Sequence, residues 1–216
     1  MRVGVIDYGA GNLVSIEQAL TRLGAQVVIA REGRALKSIE ALVVPGVGAA
    51  GPAMRRLRRF GLLEPIRSWL AADRPYLGIC LGLQLLFEGS DEDGTQTLGA
   101  LAGRTTLLRD APTLPHIGWN QVDLRRDHPL FDGIADHADA YFVHSYAGSP
   151  RDGAVVLATT THGQPFVSAV AQGQTYGVQF HPERSGRDGL QLLTNFVSIA
   201  RDGLATPAGD RVELAV

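Results

Sequence analysis

The sequence predicts a single three-layer α/β domain, in which helices cover both faces of a central, mixed and mostly parallel sheet. Three observations favour this fold class. Apolar runs of strand length alternate with segments of helical spacing in the first half of the chain, the second half is richer in strands, and no linker or internal repeat divides the 216 residues. A β-α-β rhythm is typical of parallel sheets whose ligand site lies at the carboxyl ends of the strands. We therefore expect one domain over residues 1–200 and a mobile C-terminal tail over residues 201–216.

The first half supplies the alternating elements. The first strand is predicted at Val3–Ile6, and a helix capped by Asn12 should follow because apolar residues then recur at helical spacing. These residues are Leu13, Ile16, Leu20 and Leu23. The next strands are predicted at Val27–Ala30, Ala41–Val44 and Tyr76–Ile79. One continuous helix is predicted over Met54–Leu70, before the last of these strands.

The second half is predicted to be mostly strands. Their approximate bounds are 101–109, 119–124, 140–143, 154–160, 166–171 and 175–180, and a final helix is predicted over 187–200. The acidic loop Ser90–Thr95 and the basic run Arg55–Arg59 are both expected to face solvent. The basic run lacks the interleaved aromatic residues that would favour a nucleic-acid site.

Composition excludes several classes of function. The formal net charge is −2, which gives no reason to expect nucleic acid or an anionic membrane as a partner. The single cysteine rules out an internal disulfide and suits a reducing cytoplasm. No run approaches the ~18 apolar residues of a membrane span, and the apolar run at the amino terminus is too short for a signal peptide. We therefore expect a cytoplasmic protein without a membrane partner.

The single cysteine, Cys80, lies in the segment Gly78-Ile-Cys-Leu-Gly82, between an apolar run and a helix-forming run. This strand–sharp turn–helix pattern is that of a nucleophile elbow, with sulfur in place of a serine hydroxyl. The glycines allow the unusual backbone angles of the turn, and amides at a helix start favour the reactive thiolate. The alternative is a small buried apolar residue, which is what most free cysteines are.

A cysteine nucleophile needs a base, and His181-Pro-Glu183 follows directly after a predicted strand. Proline favours extended geometry at the residue before it, and residues two apart in an extended segment project from the same face. His181 and Glu183 are therefore well placed to act side by side. A surface turn with an incidental charge pair is the alternative, but the order Cys…His-x-Glu strengthens the interpretation as a catalytic triad.

At this point the sequence resembles a known family. Gly78–Gln84 and His181–Glu183 are similar to the motifs of the class I, or triad, glutamine amidotransferases. Three further stretches, Asp7–Leu13, Pro115–Asn120 and Tyr141–Tyr146, resemble the branch of glutaminase subunits that serve imidazole glycerol phosphate synthases. The resemblance covers about residues 2 to 200.

The resemblance implies a function and a partner. Such a chain hydrolyses L-glutamine to glutamate and ammonia with no metal or organic cofactor. The ammonia passes through an internal channel to a (βα)8-barrel cyclase, and the two chains form a heterodimer. The cyclase makes imidazole glycerol phosphate and an aminoimidazole carboxamide ribotide (AICAR) in histidine biosynthesis.

The site residues divide into four groups. The proposed catalytic triad is Cys80, His181 and Glu183. The oxyanion formed during acyl transfer needs donors, for which we assign the backbone amide of Leu81, after the nucleophile, and by resemblance that of Val47. The resemblance also implies substrate contacts from Gly48, Gln84, Ser145 and Tyr146. It places Tyr8, Asn12, Trp119 and Tyr141 toward the cyclase.

Several alternatives remain open. Gly46-Val-Gly-Ala-Ala-Gly51 is a literal G-x-G-x-x-G, typical of dinucleotide-binding proteins, although it follows the third strand and no acidic residue ends a strand about 20 residues later. Subunits of anthranilate or pyridoxal phosphate synthases share the elbow. A catalytically silent scaffold is disfavoured because all three triad positions are filled. His116 and His144 lack a Cys or carboxylate at ligand spacing and are predicted to be structural.

Overall fold

A computed structural model describes residues 1–205 of the chain. The strands are β1 Arg2–Ile6, β2 Gln26–Ala30, β3 Ala41–Gly46, β4 Tyr76–Cys80, β5 Gly89–Ser90, β6 Gly103–Leu107, β7 His116–Leu124, β8 Ala138–His144, β9 Tyr146–Pro150, β10 Val156–His162, β11 Gln164–Gln172 and β12 Thr175–Val178. The helices are α1 Leu13–Arg22, α2 Ala50–Arg59, α3 Leu63–Ala71, α4 Leu81–Gln84 and α5 Gly186–Ala205. Short 3-10 turns lie at Gly33–Ser38, Pro129–Phe131, Gly153–Val155 and Pro182–Arg184.

The central sheet has the order β2-β1-β3-β4-β12-β11-β10-β7-β8 within the described residues. The pairings from β2 to β12 are parallel, and those from β12 to β8 are antiparallel. A smaller sheet, β5-β6-β9, lies beside it. The mixed α/β sheet that the sequence predicts is therefore confirmed, although its pairings are four parallel and four antiparallel and not mostly parallel.

Helices cover both faces of the sheet, which gives the predicted three layers. Apolar residues of α1 and α5, such as Leu20 and Phe196, belong to one buried cluster with strand residues. Residues of α2 and α3, such as Leu57 and Ile66, belong to a second cluster with other strand residues. Full burial of each such side chain contributes about 1.5–3 kcal/mol, so both faces of the sheet stabilise the fold.

The predicted helix over Met54–Leu70 is wrong in one respect, because it is two helices. The chain leaves α2 after Arg59 and turns at Gly61, whose φ of 64° lies in the left-handed region. That conformation is typical of glycine at the end of a helix. Pro65 then lies in the first turn of α3, where its missing amide hydrogen removes no helical bond.

Other differences lie at the ends of elements. The helix after Cys80 is a single turn, so its dipole adds less to the site than a long helix would. The sequence does not predict strand β9. This strand begins at Tyr146, one residue after the end of β8 at His144. Helix α5 continues past residue 200 to Ala205, and the rest of the predicted tail, 206–216, lies outside the described residues.

Across residues 1–205, the helices are too short or too polar for any of them to span a bilayer.

Candidate active site

Cys80 is the last residue of β4 and has a strained backbone. Its φ of 54° and ψ of −107° are unusual for a residue with a side chain. The flanking glycines make the bend possible: a Cβ on Gly82 would collide with the Val44 carbonyl oxygen, and a Cβ on Gly78 would collide with the Gly82 carbonyl group. The sequence prediction of a sharp turn at Cys80 agrees with this geometry.

The strand order brings Cys80 and His181 to the same edge of the sheet. β4 and β12 are parallel neighbours, with Ile79 paired to Val178, so Cys80 at the end of β4 and His181 shortly after β12 lie at the same edge. The Nδ1–H of His181 donates to Oε1 of Glu183 at 2.9 Å, and the Glu183 side chain is fully buried. Nε2 of His181 makes no hydrogen bond to the described residues, which leaves it available to the thiol.

The electrostatics of His181 favour its protonated form. Burial on its own would lower the pKa of the imidazole, but the neighbouring Cys80 and Glu183 outweigh burial and raise this pKa to about 10. The direction of this shift favours an imidazolium between the Cys80 sulfur and the Glu183 carboxylate. Such an arrangement is suited to nucleophilic attack by sulfur followed by proton donation from the imidazolium.

A cleft of about 210 Å³ opens onto the sulfur. It is lined by Cys80 and by all four residues assigned to substrate binding: Gly48, Gln84, Ser145 and Tyr146. Its volume lies below the ~300 Å³ at which sites for drug-sized ligands begin, so it suits a small molecule. Pro115, Val143, His144 and Glu92 also line the cleft, and none of these four was assigned to the substrate from the sequence.

A buried hydrogen-bond network joins the cleft to the sulfur. The Gln84 side-chain amide donates to the Tyr146 carbonyl at 2.7 Å and to Oε1 of Gln179 at 3.1 Å. Gln179 in turn donates from Nε2 to Sγ of Cys80 at 3.6 Å. Gln179 was not predicted as a site residue, and the available signal was a single amide in an otherwise apolar stretch directly before the His-Pro-Glu motif.

The two candidate oxyanion donors, the amides of Val47 and Leu81, lie just after the ends of neighbouring strands. Gly46 is the register partner of Cys80 on the neighbouring parallel strand, so Val47 and Leu81 each follow one member of this pair. Gly46 itself tolerates no side chain, because a Cβ there would meet the Tyr8 hydroxyl. Gly48 has a φ of 88°, which turns the chain away from β3 directly after Val47.

The same segment is poorly suited to a dinucleotide. The amide of Gly51, at the start of α2, already donates to a carboxylate oxygen of Asp93 at 2.7 Å. An anion therefore occupies the position where a pyrophosphate would have to bind, and its charge would repel phosphate. This contact also corrects the description of Ser90–Thr95 as merely solvated, because Asp93 anchors the loop and Ser90 is buried.

Glu92 in this loop lies at the cleft. Burial raises the pKa of its carboxyl group, the nearby Asp93 raises it further, and a hydrogen bond from the Ala50 amide opposes both. The side chain is largely exposed, yet it lies on the wall of the cleft that also contains the sulfur. It is the carboxylate best placed to meet a positively charged group on a bound substrate.

Three of the four residues assigned to the cyclase surface reach solvent. Trp119 is 58% exposed, Asn12 is exposed while capping α1, and Tyr141 is half-buried. Tyr141 packs edge-on against Trp119, with ring centroids 6.1 Å apart, and the Arg184 guanidinium lies 4.0 Å from the centroid of the Tyr141 ring. Tyr8 is the exception: it is fully buried, with its hydroxyl against the β3 end, so its side chain does not reach solvent.

His116 and His144 are buried and hydrogen-bonded to each other, Nδ1 to Nε2, at 3.2 Å. Among the residues that the structure describes, no cluster of three or more His, Cys, Asp or Glu side chains is arranged to hold a metal ion.

Comparison with known proteins gives a consistent picture. Residues 4–200 match the family described as "Glutamine amidotransferase class-I". The chain is 48% identical over 201 residues to "Imidazole glycerol phosphate synthase subunit HisH" of Synechococcus sp. (strain JA-3-3Ab), covering 91% of this chain and 93% of the relative. It is 44% identical over 206 residues to the protein of the same name from Symbiobacterium thermophilum, covering 95% and 97% of the two chains.

Solved structures of other proteins have a fold similar to that of this chain. PurLQS from Thermotoga maritima superposes with a TM-score of 0.71 at 18% identity, covering 92% of this chain and 98% of the other. A crystal structure described as a glutamine amidotransferase gives a TM-score of 0.70 at 23% identity, also covering 92% and 98% of the two chains.

Proposed function

The chain belongs to the class I glutamine amidotransferases, and from this premise we propose that it is the glutaminase subunit of an imidazole glycerol phosphate synthase in histidine biosynthesis. The observation that carries the proposal is the triad of Cys80, His181 and Glu183 beside a cleft of small-molecule size. Relatives named HisH match over most of their own length, which favours this branch over the anthranilate and pyridoxal phosphate branches.

The first half of the reaction forms a thioester. With the Cys80 proton held on Nε2 of His181, sulfur of Cys80 attacks the carboxamide carbon of L-glutamine, and the backbone amides of Leu81 and Val47 donate to the oxygen on which negative charge develops. Protonated His181 then gives its proton from Nε2 to the departing nitrogen, and the carbon–nitrogen bond breaks to release ammonia.

The second half regenerates the thiol. Neutral His181 now accepts a proton from a water molecule, whose oxygen attacks the γ-glutamyl thioester. The carbon–sulfur bond breaks, glutamate leaves, and the proton on Nε2 of His181 is again available to the sulfur of Cys80. Glu183 keeps the Nδ1–H of His181 fixed at 2.9 Å throughout, so that Nε2 faces the reacting atoms. The chain supplies every group in this cycle, and no metal or organic cofactor takes part in it.

The cleft recognises an amino acid at both ends. We assign the reacting end to Cys80 and Gln84, and the other end to Gly48, to the backbone of Ser145 and Tyr146, and to Glu92. The Glu92 carboxylate would bind the α-ammonium group, because a charge-assisted hydrogen bond is about twice as strong as a neutral one.

Replacement of Glu92 by glutamine is expected to raise the KM for L-glutamine about tenfold and to change kcat little. The amide keeps the size of the side chain but loses the charge that would hold the α-ammonium group, a loss of roughly 1.5 kcal/mol or more. Steady-state hydrolysis of glutamine measures both constants. The matched control is Asp91→Asn, which removes one charge from the same loop, where Asp91 pairs with Arg104 away from the cleft. An equal effect of both substitutions would assign the change to general charge and not to Glu92.

Ammonia needs a partner to be useful. At neutral pH free ammonia is mostly protonated and no longer a nucleophile, so transfer inside a complex with a cyclase preserves its reactivity. We propose that this cyclase is a (βα)8 barrel forming a heterodimer with the chain in the cytoplasm.

The surface that would meet the cyclase contains Trp119, Ile117 and Val14, which are 58%, 60% and 63% exposed. Exposed large apolar groups of this kind are typical of protein interfaces.

Replacement of Trp119 by alanine is expected to weaken binding to the cyclase by about 30-fold or more. Buried aromatic anchors at interfaces contribute about 2 kcal/mol or more. Titration calorimetry with the purified cyclase measures the dissociation constant. The control is Phe60→Ala, which truncates another aromatic residue, 43% exposed, at the end of α2. If the Trp119 variant binds as tightly as the wild-type chain, Trp119 lies outside the interface.

The direct test of the function compares partners. The wild-type chain should release equal amounts of glutamate and ammonia from L-glutamine, and addition of an imidazole glycerol phosphate synthase cyclase with its ligand should accelerate release. The synthase partner of the anthranilate branch should have no effect. Stimulation by that partner instead, or tight binding of NAD, would favour one of the alternative functions.

A further inference from the structure

A row of hydrogen-bonded side chains leads from the glutamine cleft to β7. Nδ1 of His144, a residue that lines the cleft, lies 2.9 Å from the Tyr146 carbonyl oxygen. Nε2 of the same ring lies 3.2 Å from Nδ1 of His116, and Nε2 of His116 lies 3.1 Å from the side-chain amide nitrogen of Asn120. We refer to His144, His116 and Asn120 as the histidine chain.

Each bond in the histidine chain has one possible direction. The Tyr146 carbonyl only accepts, so Nδ1 of His144 carries a hydrogen. The Asn120 amide is oriented by two backbone contacts, because its oxygen accepts from the Gln121 amide at 2.8 Å and its nitrogen donates to the Thr161 carbonyl at 2.9 Å. Asn120 therefore donates to Nε2 of His116, and Nδ1 of His116 donates to His144.

Both rings are neutral in this arrangement. A proton added to either histidine would set two donors against each other, at the His116–His144 bond or at the bond to Asn120. The surroundings agree, because burial lowers the pKa of His144 to about 3 and that of His116 to about 4. Phe142 and Phe166 pack against both rings. Neither histidine therefore exchanges protons with substrate at neutral pH.

The histidine chain ends at the Tyr146 carbonyl, at the point where β8 gives way to β9. β8 of the central sheet ends at His144 and β9 of the smaller sheet begins at Tyr146, so Ser145 alone separates these two strands. The Ser145 carbonyl accepts from the Leu108 amide at 3.0 Å, and Tyr146 pairs with Leu107 of β6. The Tyr146 carbonyl is held by two side chains, His144 at 2.9 Å and Gln84 at 2.7 Å. Ser145 and Tyr146 both line the cleft, where their position decides how the substrate fits.

We propose that His144 and His116 are positioning residues that hold the Ser145–Tyr146 backbone in the geometry that binds glutamine. The inference rests on the proposed glutaminase function and deepens it. The two rings touch no reacting atom. They act through hydrogen bonds, which connect Asn120 of β7 to His116, His116 to His144, and His144 to the Tyr146 carbonyl oxygen.

The experiment separates the two hydrogen-bonding ends of His144. His144→Phe keeps a buried ring but loses the donor to Tyr146, and we expect the KM for glutamine to rise about tenfold with kcat changed less than about threefold, the scale of one lost buried hydrogen bond. His144→Asn places an amide N–H where Nδ1 stood, and we expect it to restore KM to within about threefold of the wild type. His116→Phe leaves Nε2 of His144 without its donor and should fall between them.

The matched control is His162→Phe. This ring stacks on His116 with centroids 4.1 Å apart, but its own hydrogen bond goes to the Thr113 carbonyl, outside the histidine chain. Phenylalanine keeps the stacking, so KM and kcat should both stay at wild-type values. Thermal unfolding of each full-length variant confirms that the compared proteins are folded.

Glutamine binding to the full-length Cys80→Ser chain, measured by calorimetry, distinguishes failure of this inference from failure of the function. If that chain binds no glutamine although its histidines are intact, the proposed function fails. If it binds glutamine and addition of His144→Phe leaves the affinity unchanged, the positioning role fails alone. A kcat loss at unchanged KM in His144→Phe, or an Asn variant as impaired as the Phe variant, would also overturn the positioning role.

Discussion

Replacement of Cys80 by alanine is expected to reduce ammonia release from glutamine by at least about 10⁴-fold, the scale of loss when the nucleophile of a triad is removed. No other thiol can replace it, because Cys80 is the single cysteine of the chain. The thioester intermediate cannot form without it. Coupled detection of glutamate and ammonia, with cyclase and its ligand present, measures the loss.

The control for this result is the activity of the cyclase with free ammonia. With ammonium salt at alkaline pH in place of glutamine, the complex containing Cys80→Ala should still form imidazole glycerol phosphate, because free ammonia bypasses the thiol. Binding of the variant to the cyclase should equal that of the wild-type chain. Glutamine-dependent ammonia release that persists in Cys80→Ala would remove the thiol from the reaction and with it the proposed mechanism.

Replacement of Glu183 by glutamine should have the next largest effect, a fall in kcat/KM on the order of 10²–10⁴-fold. The carboxylate fixes the Nδ1–H of His181 and helps to raise the pKa of that ring to about 10. An amide keeps the volume of the side chain but removes the negative charge. The imidazole then loses both its orientation and part of the stabilisation of its cationic form.

The sign of the pH effect follows from the direction of the shift. A raised pKa keeps His181 protonated from acid pH up to about pH 10 in the wild type. In Glu183→Gln this pKa should fall, so the imidazolium and the activity that depends on it are lost at lower pH. NMR titration of the His181 ring in both proteins measures the change, and Glu17→Gln on the exposed side of α1 is the control. An unaltered His181 titration in Glu183→Gln would show that the carboxylate is not coupled to the ring.

The parts of the site that could be predicted from the sequence are those with local causes. The bend at Cys80 depends on two nearby glycines, and the pairing of His181 with Glu183 follows from a proline that fixes the extended segment between them. The strand ends that carry them are short apolar runs. Their common edge follows from the parallel order of the sheet.

The missed features depend on contacts between distant segments. Gln179 lies beside the thiol because it directly follows β12, the neighbour of β4, and its amide donates to the Cys80 sulfur. The alternation of side chains along a strand does not by itself indicate that an amide belongs to a site. Glu92 reaches the cleft because Asp93 ties their loop to α2. The burial of Tyr8 likewise depends on a distant contact, because its hydroxyl lies against Gly46 at the end of β3, whereas Asn12 of the same motif is exposed.

The proposed reactive groups lie at or just after the ends of three adjacent parallel strands: Val47 after β3, Cys80 at the end of β4, and His181 shortly after β12. The distances between them are consequently set by the backbone hydrogen bonds between the strands, and these bonds form whichever side chains the strands carry. Evolution is therefore free to replace most of the residues around this trio while leaving its dimensions untouched. A distant protein can accordingly keep the same scaffold of strands at 18% identity.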